Sequence, residues 1–77
     1  MGEALNKLPL PVPELCKQNA RILYKGTEYR MVGYQTIFNR KEQLKSVILR
    51  NWQGNIMYVN MNNFTRDLDN GEVELID

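Results

Sequence analysis

A catalyst of this size would need a nucleophile and a base close together, and the sequence supplies few of either. It contains no histidine and a single cysteine, Cys16. The usual pairing of a nucleophile with a histidine base is therefore absent. The acidic residues fall in charge-rich turns and toward the end of the chain, with no ligand spacing for a metal ion. Gly26, Gly33, Gly54 and Gly71 are isolated, so no glycine-rich phosphate loop is present. The expectation is a protein that is not an enzyme and carries no cofactor or metal.

Binding is what the remaining residue types can do, and two sets stand out. Arg50, Trp52, Ile56 and Tyr58 lie close together in sequence and combine the aromatic and arginine side chains that dominate protein interfaces. They are the candidates for a protein-binding patch, and the same patch could pair two copies of the chain about a twofold axis. The second set is Arg21, Lys25, Arg30, Tyr34, Arg40, Lys41 and Lys45, in which the cations could meet phosphates while Tyr34 or Trp52 stacks on bases. A protein partner is the first expectation and nucleic acid the alternative, because the net charge is only +1.

That small net charge hides a segregation. From Lys17 to Arg50 eight basic residues face Glu28 and Glu42, whereas from Asn51 to Asp77 only Arg66 opposes five acidic residues. The two halves can pair with each other inside the fold, or the first can present a basic face.

The elements that must position these residues are mostly strands. Residues 46–61 read as two half-buried strands around Asn51-Trp52-Gln53-Gly54. Asn at the first turn position and Gly at the fourth suit a type I turn followed by a left-handed glycine. In that register Asn51 pairs with Asn55, Leu49 with Met57 and Val47 with Val59. Ile48, Arg50, Ile56 and Tyr58 then share the second face. A two-residue loop at Gln53-Gly54 would set Val47 against Asn60 and waste a core position. The preferred register leaves Trp52 in the loop, either as an exposed anchor or, the commoner fate of a large ring, folded back as a lid.

A second hairpin runs through residues 20–24 and 28–34 around Lys25-Gly26-Thr27, with Gly26 supplying a positive φ. Gly33 marks a bulge or bend, after which the strand can continue to Phe38. Residues 39–45 read as a charged loop or a single helical turn. Phe64 and Leu68, four apart, suit a one-turn helix plugging the core. Asp69-Asn70-Gly71 signals a turn, and residues 72–76 close the chain as a short strand whose acidic side chains guard an edge. Ahead of the strands, residues 1–13 read as a flexible arm in which Leu8 to Pro13 alternates proline with aliphatic residues, laid on the domain or offered to an aromatic groove. Residues 14–19 allow a short helix that opens with Pro13 and stops at Asn19, burying Leu15 and Cys16.

The residues 23–29 (LYKGTEY), the central hairpin with Gly54, Phe64 before the last strand, and residues 72–76 (EVELI) together resemble the SH3-like small β-barrel group. The resemblance covers residues 20–77. It implies a mainly β, single five-stranded barrel over residues 14–77, with a short N-terminal helix or arm and a one-turn helix before the last strand. The aromatic pair and proline with which signalling SH3 domains grip proline-rich peptides have no counterpart here. Folds of this size and kind are common among phage and mobile-element proteins, and a shared fold does not fix function.

Length and composition agree with one ordinary globular domain: 77 residues, 43% hydrophobic and 25% charged. A lone cysteine fits a reducing compartment, and no apolar run approaches the roughly 18 residues a membrane span requires. A cytoplasmic protein with no membrane contact is expected.

Overall fold

The computed structural model describes residues 8–38 and 41–76. Helix α1 (Val12–Lys17) is followed by strands β1 (Arg21–Tyr24), β2 (Thr27–Phe38), β3 (Gln43–Asn51) and β4 (Ile56–Asn60), helix α2 (Met61–Asp69) and strand β5 (Val73–Leu75). The strands form one antiparallel sheet in the order β4-β3-β2-β1-β5.

Helix α1 starts at Val12, one residue ahead of Pro13, because the Pro11 carbonyl accepts from the N–H groups of Glu14 and Leu15 at 3.0 and 3.1 Å. Proline in the first turn loses nothing, since an N–H at its own position would have no partner inside the helix. Val12 is buried with Leu15 and Cys16 and so belongs to the core, not to an arm. The left-handed Asn19 (φ 52°) ends the helix as its side chain permits. Residues 1–7 of the expected arm lie outside the described residues.

The β1–β2 turn is tighter than the spacing suggested. Lys25 and Gly26 both have positive φ (53° and 86°), the two-residue hairpin geometry whose twist matches the flanking strands. Lys25 tolerates this conformation while its N–H donates to the Glu72 carbonyl at 2.8 Å. Strand β2 then runs on to Phe38 through a bulge, with the register shifting between Met31 and Gly33 so that Val32 is the extra residue. Gly33 is required here by proximity: a Cβ on it would lie 2.9 Å from Ile48 Cδ1. Strand β3 begins at Gln43, so residues 43–45 of the stretch read as loop or helical turn are strand; residues 39 and 40 lie outside the described residues.

The β3–β4 hairpin has the expected register. Asn51 pairs with Asn55, Leu49 with Met57 and Val47 with Val59, and Gly54 is left-handed at φ 90°. The Asn51 side chain holds the loop shut, its Oδ1 accepting from the N–H groups of Gln53 (3.0 Å) and Asn55 (2.9 Å). Helix α2 is longer than one turn. Asn60 caps it by accepting from the Asn62 N–H at 2.8 Å, and Phe64 and Leu68 are buried as their spacing implied.

One cluster holds the molecule together. Val12, Leu15 and Cys16 of α1 and Phe64 and Leu68 of α2 meet Ile22, Tyr24, Met31, Val47, Leu49, Val59 and Val73 from the strands. Alternation along each strand sends every second side chain into this cluster and the others to the opposite face. Strand β5 pairs only with β1 and β4 only with β3, so the pairing leaves the sheet open between β4 and β5. The first and last strands are neighbours, as a barrel requires, but no pairing between β4 and β5 closes one.

Candidate functional site

The site is built on the face the helices leave uncovered. Burial of Val47 and Leu49 on β3 sends Ile48 and Arg50 to the other side, and the register sets Arg50 against Ile56 and Ile48 against Tyr58. Trp52 follows in the hairpin loop. It is 84% exposed, so the expected lid is not formed among the described residues, and the loop is closed by the Asn51 side chain. Tyr58 is 60% exposed and Ile56 49%. The four residues proposed from sequence as a protein-binding patch are therefore brought together on one surface.

An open groove of about 490 Å³ runs beside this patch, lined by Asn19, Glu28, Arg30, Arg50, Asn51 and Trp52 among others. Arg21, Arg30 and Arg50 stand in one row across β1, β2 and β3, since Arg21 pairs with Arg30 and Arg30 with Arg50. Arg21 lies 3.6 Å from Glu28, and Arg30 Nη1 donates to the Asn19 carbonyl at 3.1 Å.

The alternative nucleic-acid set is not gathered. Arg21 and Arg30 share the uncovered face. Lys25 sits in the β1–β2 turn, 3.9 Å from Asp67, and Lys45 has the parity of Val47 and Leu49 and so projects on the opposite side. Tyr34 packs half-buried against the core, which removes one of its faces from stacking. Lys41 is exposed in the β2–β3 connection, and Arg40 lies outside the described residues.

Strand β4 adds a second feature, a free edge. Asn51 N–H bonds to the Asn55 carbonyl, and pairs alternate along an antiparallel ladder, so the backbone groups of Ile56 and Tyr58 point away from β3. Strand β4 itself carries no charge, proline or bulge, although Lys25, Arg66 and Asp67 line a cavity beside it. The other edge, β5, has three residues and is flanked by Glu72.

Sequence reading missed a buried pair, Tyr24 and Asp67, which lines a cavity together with Tyr58. Asp67 is only 2% exposed, and the Tyr24 hydroxyl donates to its carboxylate. That hydrogen bond, with Lys25 and Arg66 (3.9 and 3.6 Å) adding attraction, holds the Asp67 carboxyl below the ordinary range against the opposing effect of burial. Burial, and then the bond to Asp67, push the Tyr24 hydroxyl up to about 12. The Asp67 carbonyl also accepts from the Glu72 N–H at 2.8 Å, so one residue ties α2 to β1 and to the approach of β5. A signal existed in the spacing, because Asp67 is three residues from Phe64 and shares its helix face. These partners account for Asp67 as a structural tie. Cys16 is likewise occupied: its thiol donates to the Gly33 carbonyl at 3.1 Å, and burial pushes its pKa up.

Among the described residues no three His, Cys, Asp or Glu side chains gather as a metal site would need, and no helix is long and apolar enough to cross a membrane. No protein-family model, curated protein or solved structure matches the chain.

Proposed function

We propose that this chain is a non-catalytic protein-binding module, a small accessory, regulatory or inhibitory protein, and that Arg50, Trp52, Ile56 and Tyr58 form its contact surface. The observation that carries the reading is the exposure of Trp52, Ile56 and Tyr58 beside Arg50 on a sheet face that neither helix covers. Large exposed rings next to an arginine are the composition of an interface centre and cost solubility where nothing covers them. The free edge of β4 supports the same reading, since an added strand could satisfy the outward groups of Ile56 and Tyr58. Strand order and the helix before β5 support assigning the scaffold to the SH3-like small barrels. The basic residues offer nucleic acid less, because Lys25, Lys45 and Tyr34 are directed elsewhere.

The test is co-purification from the native host with tagged protein, nuclease treatment and a salt series. A defined polypeptide should be retained by the wild type and lost by Trp52→Ala and Tyr58→Ala, with unchanged circular dichroism. Retention by both variants, or recovery of nucleic acid alone, would sink the reading.

A further inference from the structure

The row of arginines on the uncovered face makes a demand of its own. Arg30 and Arg50 are direct cross-strand partners with side chains on the same face, an arrangement in which like charges destabilise a sheet. Glu28 is placed at Arg21, and among the described residues no carboxylate lies within ion-pair reach of Arg30 or Arg50. Arg30 spends one N–H on the Asn19 carbonyl, while Arg50 Nη2 lies beside Gly54, 4.0 Å from where a Cβ would stand. Arg30 and Arg50 line one groove with Trp52, and Glu28, paired with Arg21, is the carboxylate among its described lining residues. Two fork-shaped donors thus stand next to each other with most of their N–H groups unspent, in a free protein that gains nothing from their proximity.

We infer that the partner of this face is an acidic polypeptide segment, with a carboxylate seated between Arg30 and Arg50 and a neighbouring apolar side chain against Trp52, Ile56 or Tyr58. The inference rests on the protein-binding reading and supplies the partner's chemistry. A carboxylate would convert the repulsive pair into charge-assisted hydrogen bonds, so the cost borne by the free domain is returned on binding. A polypeptide fits better than a polynucleotide for two reasons. The row is short, and Lys25 and Lys45 do not extend it, so no cationic track follows a phosphate backbone. Its flank at Ile48, Ile56 and Tyr58 is apolar, which suits side chains more than sugar and phosphate.

The experiment uses the full chain and fluorescein-labelled peptides of twelve residues that alternate Asp or Glu with Leu or Tyr. The same peptides with Gln in place of the acids, and a dT12 oligonucleotide, complete the panel, with anisotropy read at two salt concentrations. The acidic peptides should bind and weaken with salt, and the Gln peptides should bind roughly tenfold more weakly. Arg30→Gln and Arg50→Gln should each abolish that preference, and the double variant should melt at a higher temperature than the wild type in the absence of peptide. Equal binding of acidic and Gln peptides, binding of neither, or a preference that survives both substitutions overturns the inference. Tighter, arginine-dependent binding of dT12 overturns it in favour of nucleic acid. A failure here with capture still dependent on Trp52 and Tyr58 removes the acidic partner and leaves the protein-binding reading standing, whereas loss of both removes that reading as well.

Discussion

Alternate residues of the same strands build both faces of this sheet, and the two faces have opposite characters. On one, Ile22, Met31, Val47, Leu49 and Val59 are sealed beneath α1 and α2, with Phe64 fully buried at the centre. On the other, Arg30, Arg50, Ile56 and Tyr58 stand in solvent with Trp52 beyond them. The core face obeys every rule of folding, whereas the outer face breaks two, exposing large rings and opposing like charges. Such violations concentrate where a protein has work other than folding.

The contrast predicts that substitutions on the covered face act on stability and those on the open face act on binding. Phe64→Ala should be the most damaging, at about 3–5 kcal/mol from lost burial and the cavity left behind, read as a shift in the urea midpoint. In so small a domain that is close to the whole stability.

Gly33→Ala comes next, because its Cβ would press on Ile48 Cδ1. It should cost about 1–3 kcal/mol. Ile48→Val removes that carbon, so the double variant should recover much of the loss in a double-mutant cycle. Ile48 lies on the open face and so would a Cβ on Gly33, so here crowding on the open face acts on stability and not only on binding.

The Tyr24–Asp67 tie adds a dependence on pH with a definite sign. The carboxyl of Asp67 is held low in the folded state, so its contribution is complete above the unfolded value near 3.9 and is lost as pH falls through the folded value. Tyr24 is raised to about 12, so its contribution is complete below about 10 and is lost between there and 12. Asp67→Asn should flatten the acid limb of the stability profile, and Tyr24→Phe should remove the alkaline contribution and shrink the acid one. Trp52→Ala and Tyr58→Ala should shift stability least, within about 0.5 kcal/mol by chemical denaturation, while abolishing partner capture. A large loss of stability in either would erase the distinction between the faces.

How much of this was legible in the chain depends on whether local chemistry or tertiary placement decided it. Asn51 and Gly54 set the turn, and the turn set every pair of the β3–β4 hairpin, so the Arg50–Ile56–Tyr58 surface could be read from sequence. Trp52 went the other way, since the burial usual for a large ring needs a neighbour and the short loop provides none. Strand β3 reaches back to Gln43 because pairing with Phe38 overrides the polar character of that stretch. Asp67 read as one charge among several, and only the docking of α2 against Tyr24 makes it a buried group. The opposition of Arg30 and Arg50 needed both hairpins joined in register through the Val32 bulge, which no local pattern specifies.

The pairing of β5 with β1 also sets an order in time. Each hairpin closes over a few residues, but Ile22 against Leu75 and the Ile76 N–H on the Arg21 carbonyl join strands from near the two ends of the described chain. Closing that long loop carries the largest entropic cost and is rewarded by only three residues of ladder. Folding should therefore finish with β5, and unfolding should begin there. In native-state hydrogen exchange the β5 amides that bond to β1 should trade with solvent well before those shared by β2 and β3, making the C-terminal strand the first part of this domain to open.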